Sequence, residues 1–408
     1  MVTESTELEG IASPEMNKKS ANAKSEIKAW IEAFKHIFPI YLSTHLAFAV
    51  LTSLAILFRL DSHTSGYFQP ITLLTSWNNW DSQWYSMIAH SGYSSPVSMA
   101  FFPLFPGLES VLSLITHLDP FYAGLLISNL AGLGMLMILY RIVCADFDHE
   151  RAVRTVLYLA VFPTAFFFAA AYTESLFMFF SLLTFFLWRR GQWWLAGLAA
   201  VFSGLTRSTS ICLLIPFVYE YLYQHDFQWR KIRFNVLSGI GTVGGVILFG
   251  AYGYVKFHDA LAFSHAQEGY GFRRYFSVPW TGFEQAIGNI AHLPFLSFVS
   301  IYNMIDLTVG LFMLGVLILA FVGPVRFRKE HLSYALYGAA LYLSINTVPN
   351  PQPYPNIGLS RYILEIFPAF IILASLSRWR NFNLYYLGLC LPLLAFMVLQ
   401  WVTIGFVI

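Results

Sequence analysis

The sequence predicts an all-α polytopic membrane protein with about eleven transmembrane helices. Of the 408 residues, 57% are hydrophobic and only 11% are charged, whereas charged residues make up roughly 25% of a soluble domain. Apolar stretches recur along the whole chain at lengths near the ~20 residues with which a helix crosses a bilayer. These observations exclude an ordinary soluble domain, and a net charge of +2 is too small to indicate nucleic-acid binding.

The candidate spans are apolar stretches separated by short polar segments. The chain before the first span, residues 1–36, is polar and basic, and we expect a disordered cytoplasmic tail there. Residues 37–408 are expected to form a single transmembrane domain. The candidate spans cover residues 37–59, 121–143, 153–172, 174–188, 192–206, 208–223, 235–256, 299–322, 332–348, 360–377 and 383–407.

The positions of Lys and Arg predict how the chain is oriented. Short cytoplasmic loops carry an excess of basic residues, so the lysines before residue 37 place the N-terminus inside. If the spans then alternate, the long loops 60–100 and 257–298 lie outside. Every later basic cluster falls on the cytoplasmic side, namely Arg141/Arg151/Arg154, Arg189/Arg190, Arg230/Lys231/Arg233, Arg326/Arg328/Lys329 and Arg378/Arg380.

One apolar stretch, residues 100–116, does not fit as a span. Only one net crossing is allowed between the outer loop and Arg141, and the stretch 121–143 already supplies it. Pro103 and Pro106 suit a broken segment that is buried within protein. We therefore predict a re-entrant segment at 100–116, within a long first outer region.

Asp81 is the sharpest candidate for chemistry on the outer side. Trp77, Trp84 and Ile88 stand at i−4, i+3 and i+7 from it, which would place the carboxylate on the apolar stripe of an interfacial amphipathic helix. A carboxylate held against protein in this way could act as a general base. The alternative is an aspartate that caps a helix or is hydrogen-bonded at the interface.

Three more charged residues lie at the outer ends of predicted spans. Glu174 opens an apolar helix, a position that the helix dipole also favours for an acid. Arg207 lies between two apolar segments, where it either reaches for the interface or binds a phosphate group through its guanidinium. Arg361 opens the span that begins near residue 360. Acids and bases from distant segments therefore meet on one side, and a shared site is plausible.

The second outer loop carries several ionisable residues without a recognisable metal motif. Arg273 and Arg274, near Tyr275 and Trp280, could be interfacial anchors or could hold an anionic head group. The spacing of the other ionisable residues matches no standard metal site. They are His258, Asp259, His265 and Glu268.

The motifs in these segments resemble the PIG-V family, the second mannosyltransferases of GPI-anchor synthesis and their bacterial relatives. The resemblance runs in order over residues 77–368, and the chain looks like a bacterial-type member. Ala260 departs from the proline that bacterial members often have. The matching motifs are WD at 80–81 with AHSGY at 89–93, AFFPLFP at 100–106, YTESLF at 172–177, GLTRS at 204–208, HDALAF at 258–263 with Gln267, and SRY at 360–362 with FP at 367–368.

The resemblance implies a glycosyltransferase of the GT-C fold, with an inverting reaction. It would move mannose from a polyprenyl or dolichyl-type phosphate to a lipid-linked or glycan acceptor on the extracytoplasmic face. Asp81 in the first outer loop would be the catalytic acid/base residue, and Glu174 is a second catalytic candidate. The expected donor-phosphate ligands are Arg207, Arg361, Arg273 and Arg274. The expected substrate-binding residues are Trp80, His90, Tyr93, His258, Gln267 and Tyr362.

Two other functions stay open on the sequence. A transferase of the same fold could use another polyprenyl-phosphate sugar, because the motifs do not show which sugar hydroxyls are recognised. A lipid or sugar transporter would be expected to show internal repeats and charges near the bilayer midplane, and the sequence shows neither. We expect a bacterial cell membrane location, or the endoplasmic reticulum in a eukaryote, with membrane lipids as partners and neither a metal nor a cofactor.

Overall fold

The computed structural model describes residues 14–59, 69–269 and 272–404, and within these ranges all regular secondary structure is helical. The all-α prediction is therefore confirmed. The α-helices are α1 (Pro14–Arg59), α2 (Thr72–Thr75), α3 (Asp81–Ser91), α4 (Leu104–Thr116), α5 (Pro120–Asp146), α6 (His149–Ala160), α7 (Glu174–Trp188), α8 (Trp193–Gly204), α9 (Leu214–Gln224), α10 (Gly241–Phe257), α11 (Ala262–Glu268), α12 (Thr281–His292), α13 (Phe298–Phe321), α14 (Leu332–Asn346), α15 (Leu359–Tyr362), α16 (Phe367–Leu376) and α17 (Phe382–Ile404).

Several of these helices are long and apolar enough to cross a bilayer, so the protein is an integral membrane protein. Within the described residues, five segments meet this condition, and α15 with α16 makes a sixth if this pair, bent by 82°, counts as one span. Every predicted span contains at least one helix. Several of these helices are shorter than a bilayer crossing, so the number of about eleven transmembrane spans stays a prediction. The five segments are Ser25–Leu57, Pro120–Asp146, Phe234–Phe257, Phe298–Phe321 and Phe382–Thr403.

The N-terminal segment differs from the predicted tail. The first helix begins at Pro14, so residues 14–36 are helical, whereas residues 1–13 of the predicted tail lie outside the described part. Lys, Glu and Ala are strong helix formers, and the segment is also held by contacts. A carboxylate oxygen of Glu26 lies 3.1 Å from a nitrogen of Arg141, near the end of α5, and the other lies 3.0 Å from a nitrogen of Arg190, just after α7. These two ion pairs connect the first helix to α5 and α7.

The predicted span 153–172 is interrupted halfway. Its helix, α6, ends at Ala160, just before Phe162-Pro163. Proline disfavours the helical conformation of the residue before it, so the chain continues in turns and a short 3₁₀ segment at Ala165–Phe168. This break brings the chain to the start of α7.

The first outer region is folded against the bundle. Its helix α3 begins at Asp81, after a sharp turn in which Trp80 has a positive φ of 51°. Trp77 therefore lies before the helix, so the prediction that Trp77 occupies the apolar stripe at position i−4 from Asp81 is wrong. Trp77 is nevertheless buried, and its Nε1 donates to Thr52 Oγ1 at 3.1 Å. Residues 60–68 of this loop and 270–271 of the second lie outside the described part.

The predicted re-entrant segment is the short apolar helix α4, which packs against α3 and α5. It starts at Leu104, directly after Pro103. Helix α16 is buried along its whole length, and most of α7 is buried too. These two helices form the centre of the bundle, and the candidate site lies at their N-terminal ends.

Helices α8 and α10 approach each other closely through glycines. A Cβ atom added to Gly245 would overlap the carbonyl oxygen of Val201 and would lie 2.5 Å from the backbone nitrogen of Leu205. One turn earlier, a Cβ on Gly241 would overlap the backbone of Gly197. Small residues at this spacing let two helix backbones pack directly in membrane proteins. The contact fixes the end of α8, which leads into Arg207.

Replacing Gly245 with alanine is expected to lower the stability of the bundle. The added methyl group must push α8 away from α10, and overpacking of this kind costs about 1–3 kcal/mol. Gly315→Ala in α13 is the matched control, because a Cβ there meets nothing within 4 Å. Thermal unfolding of both variants in detergent tests the contact: equal midpoints for the two would contradict it.

Candidate active site

Side chains from distant parts of the chain converge on one cavity of about 300 Å³. They come from the start of α3, from the segment after α8, from α11 and the chain after it, and from α15. Of the residues predicted for the site, six line this cavity: Asp81, Arg207, Gln267, Arg274, Arg361 and Tyr362.

Arg361 joins the two predicted catalytic carboxylates. Its Nη2 lies 2.8 Å from Asp81 Oδ2, and its Nε donates to Glu174 Oε1. The guanidinium also stacks over the rings of Tyr172 and Phe167, at 4.8 and 5.2 Å from their centroids. A guanidinium whose N–H groups bind carboxylates while its faces stack on aromatic rings has little conformational freedom. Arg361 therefore holds the Asp81 carboxylate in a defined position.

Glu174 lies behind this contact and joins both arginines. Its side chain is 0% exposed, and Oε1 also accepts from Arg207 Nη1 at 2.9 Å. The same Arg207 nitrogen lies 2.9 Å from Glu365 Oε1, on another fully buried acid. Two guanidinium groups thus stand among three carboxylates, and the two buried acids compensate the charge of Arg207. Buried charges persist in proteins only when they are paired in this way.

Arg274 differs from the other two arginines of the cavity. Its Nε donates to Asn350 Oδ1 at 2.8 Å and its Nη2 to Tyr362 Oη at 3.1 Å, both neutral partners. Within the part of the chain that the structure describes, no carboxylate oxygen lies within 4.0 Å of its guanidinium. Arg274 therefore brings to the cavity a positive charge that is in no direct ion pair among the described residues, although Glu268 also lines the cavity.

The hydroxyl of Tyr172 holds the turn that presents Asp81. It accepts a hydrogen bond from the Asp81 backbone N–H at 3.2 Å and donates to the carbonyl of Asn79 at 3.1 Å. These two bonds bracket Trp80, whose positive φ of 51° is unfavourable for a large side chain. The start of α3 is therefore fixed by the segment just before α7.

The structure places the remaining predicted site residues outside the cavity. Trp80, His90, His258 and Arg273 are exposed, and Tyr93 donates to the carbonyl of Phe101 at 2.8 Å while packing on other aromatic rings. Arg273 is separated from the cavity although it is adjacent to Arg274. The chain turns at Arg273, which has a positive φ of 50°, and Arg274 lines the cavity whereas Arg273 is exposed.

Two residues of the site were missing from the prediction. Glu365 lies within the apolar run ILEIFPAFIILASL, where an ionisable residue is by itself a signal of function. Tyr172 is the first residue of the YTESLF motif, but nothing in that motif indicates what its hydroxyl contacts.

Two ionisable residues of the second outer loop, Asp259 and His265, form a surface pair, whereas Glu268 lines the cavity. Asp259 Oδ2 lies 2.7 Å from His265 Nδ1, and this hydrogen bond raises the pKa of His265 and lowers that of Asp259. Asp259 also accepts from the backbone N–H of Leu261 at 2.9 Å. Among the described residues, no three His, Cys, Asp or Glu side chains are grouped as metal ligands would be.

Comparisons with known proteins agree with the fold. Residues 103–252 match the family model described as dolichyl-phosphate-mannose-protein mannosyltransferase. A segment of 132 residues, 32% of this chain, is 30% identical to GPI mannosyltransferase 2 of Yarrowia lipolytica (strain CLIB 122 / E 150) and spans 37% of that protein's length.

The likeness to solved structures extends over most of the chain. ArnT from Cupriavidus metallidurans bound to undecaprenyl phosphate superposes with a TM-score of 0.50 at 16% identity, over 81% of this chain and 60% of ArnT. The apo structure of ArnT gives a TM-score of 0.50 over 77% of this chain and 59% of ArnT. The predicted GT-C fold is thereby confirmed.

Proposed function

We propose that this protein is an inverting glycosyltransferase that moves mannose from a polyprenyl phosphate to a hydroxyl group of a lipid-linked or glycan acceptor, on the extracytoplasmic face. The observation that carries the proposal is the Asp81–Arg361–Glu174 contact at a cavity that also holds Arg274. The likenesses to a mannosyltransferase family, to GPI mannosyltransferase 2 and to ArnT bound to undecaprenyl phosphate support the donor class.

In the proposed reaction, the oxygen of the acceptor hydroxyl attacks the anomeric carbon of mannose. The bond from that carbon to the phosphate oxygen breaks, and polyprenyl phosphate leaves with the electron pair. The hydroxyl proton passes to Asp81, which acts as general base. Oδ2 of Asp81 is held by Arg361, so Oδ1 is the oxygen that can take the proton.

Glu174, Glu365 and Arg207 act in this proposal as positioning residues. Glu174 binds the Nε edge of Arg361, which leaves Nη2 directed at Asp81. Arg207 is held in turn by the two buried acids. These contacts hold Arg361 in place, so the Asp81 carboxylate is kept in one position for the attack.

Arg274 is the best-placed residue for the donor phosphate. The charge of Arg207 is compensated by two buried carboxylates, and Arg361 already binds Asp81 and Glu174. A phosphate that loses the sugar gains negative charge, and a fixed cation stabilises that charge in the transition state. Arg274 is the cavity arginine with such a charge available, and Tyr362 and Asn350 hold it in place.

Arg274→Ala is expected to raise the KM for polyprenyl-phosphate-mannose by about tenfold to a hundredfold, the usual effect of losing a charge-assisted hydrogen bond. The adjacent Arg273→Ala is the matched control, because it removes the same charge from the same loop but outside the cavity. Initial rates at a series of donor concentrations separate the two. Equal KM values for both variants would remove Arg274 as the phosphate ligand.

The function itself can be tested with purified protein and radiolabelled polyprenyl-phosphate-mannose in the presence of membrane extract as acceptor source. A sugar joined to phosphate is released by mild acid, whereas a glycosidic bond to a hydroxyl survives it. We expect the label to become acid-stable only with active protein. Label transferred from glucose or arabinose donors but not from mannose would change the sugar, and label that accumulates in vesicles without any new bond would indicate transport.

A further inference from the structure

A second polar cavity lies at the opposite end of the same helices. Helix α7 runs from Glu174 at the candidate active site to Trp188, which is about 22 Å at 1.5 Å per residue. The next residue, Arg189, binds Asp146 at 2.8 Å, and Asp146 lines the second cavity. The two cavities are therefore separate and face opposite ends of the bundle.

The second cavity has a volume of about 370 Å³ and is lined by four arginines. They come from three connections: the α5–α6 corner, the segment between α13 and α14, and the end of α16. In the middle connection, Phe327 is buried and its N–H donates to the carbonyl of Ala320 at 2.9 Å. Neighbours of a buried residue on an extended segment point to the other side, which directs two arginines into the cavity. The four are Arg151, Arg326, Arg328 and Arg378.

Three acids line this cavity, Asp146, Asp148 and Glu330, and they leave three of its four arginines without a direct ion pair within the described residues. Asp146 is bound by Arg189 and by the hydroxyl of Tyr334. Asp148 caps α6 by accepting from the Arg151 N–H at 2.7 Å and lies 3.5 Å from the Arg151 side chain. In the described ranges, no carboxylate oxygen lies within 4.0 Å of the other three guanidinium groups.

Two further features of the cavity suit an anion. Burial lowers the pKa of Arg151, and the negative charge of Asp148 opposes this shift. The positive charge of Arg378 lowers the pKa of Arg151 further, because Arg151 and Arg378 repel each other. His331 is only 6% exposed and lines the cavity. Its Nδ1 is buried and has no hydrogen-bond partner in the described part of the chain, and Glu330 Oε1 lies 3.9 Å from it. An anion in the cavity would relieve the repulsion, and its oxygen could accept a hydrogen bond from this nitrogen.

Two exposed apolar residues lie within two positions of cavity-lining residues in the sequence, which favours a lipid over a soluble anion. Val322 follows the apolar helix α13 and is 52% exposed, and Trp379, next to Arg378, is 57% exposed. Tryptophan at the end of a membrane helix favours the level of the lipid head groups. Basic pockets between membrane helices on the cytoplasmic side suit anionic head groups, and the basic residues predict that side for this end.

We propose that this cavity binds the phosphate-bearing head group of an anionic phospholipid from the cytoplasmic leaflet. The site is independent of the reaction proposed for the other end. It also differs from an ordinary cytoplasmic basic cluster. The cluster Arg230/Lys231/Arg233 lies outside this cavity, and there Lys231 is paired with Asp226.

The test compares two triple variants that each lose three positive charges. Arg326→Ala/Arg328→Ala/Arg378→Ala empties the cavity of its uncompensated arginines, and Arg230→Ala/Lys231→Ala/Arg233→Ala is the matched control. Native mass spectrometry of the full chain in detergent, with added dioleoyl phosphatidylglycerol or phosphatidylcholine, gives the apparent affinities. We expect the cavity variant to bind phosphatidylglycerol at least about tenfold more weakly, with phosphatidylcholine unchanged and the control like the wild type.

Three results would overturn the proposal. They are equal phosphatidylglycerol affinity in the cavity variant and the wild type, an equal loss in both triple variants, and a wild type that does not prefer phosphatidylglycerol to phosphatidylcholine. Inorganic phosphate that competes at the same concentration as the lipid would also overturn it, because the acyl chains would then contribute nothing. If the triple variant does not elute as a folded protein, Arg378→Ala alone is expected to weaken binding about fivefold.

Discussion

Asp81→Asn is expected to lower the rate of mannose transfer by about 10²–10⁴-fold, the usual effect of removing a general base. The asparagine amide has the same shape as the carboxylate, and its oxygen can still accept from Arg361 Nη2, which lies 2.8 Å from Asp81 Oδ2. The amide cannot take the proton of the acceptor hydroxyl. The loss should therefore appear in kcat, measured at saturating polyprenyl-phosphate-mannose, with little change in the KM for the donor.

The control for this variant is another aspartate of the outer loops. Asp259→Asn removes a carboxylate that pairs with His265 at the surface and does not line the cavity, so its rate should match that of the wild type. Thermal unfolding shows whether each variant is folded. A folded Asp81→Asn protein with the wild-type rate would remove Asp81 as the base.

Glu174→Gln is expected to destabilise the protein by about 3–5 kcal/mol, the cost of removing one partner from a buried ion pair. The carboxylate is 0% exposed and contacts both Arg207 and Arg361. Glutamine keeps the size of the side chain but leaves the arginines with one fewer counter-charge in a place that water does not reach. The free energy of unfolding, followed by titration with a denaturing detergent, measures the effect.

Two comparisons distinguish this loss from a general effect of the substitution. Glu32→Gln removes an exposed carboxylate that pairs with Lys35 at 3.1 Å, and no measurable change is expected because exposed pairs contribute little. The double variant Glu174→Gln/Arg207→Gln should lose less stability than the sum of the two single variants, since the two side chains are in direct contact. Strictly additive losses in the double variant would contradict the buried network.

The Glu174→Gln variant also tests whether Glu174 positions Arg361. If Glu174 acts by holding Arg361, Glu174→Gln lowers the rate together with the stability, whereas Asp81→Asn lowers the rate alone. Glu174→Asp restores the charge on a shorter side chain and should recover more stability than activity, because Arg361 then loses its position relative to Asp81.

Much of this protein could be predicted from its sequence because the relevant signals are local. Apolar stretches near the length of a bilayer crossing indicate helices wherever they occur, and each predicted span contains a helix. Pro163 could have predicted the early end of α6, and Glu365 stands out as an acid in an apolar run. The helix over residues 14–36 was harder to predict, because its Glu26 is held by arginines more than a hundred residues away.

What only the tertiary structure decided is which charges meet. The sequence by itself determined the all-helical membrane fold, and it placed Asp81 in the first outer loop and Glu174, Arg207 and Arg361 at outer ends of predicted spans. It did not show that one guanidinium bridges Asp81 and Glu174, that Arg207 is compensated by Glu365, or that Arg274 faces the cavity while Arg273 does not. Hydropathy along the chain fixes which segments are buried, whereas the pairing of side chains depends on helix rotation and packing between segments far apart in sequence.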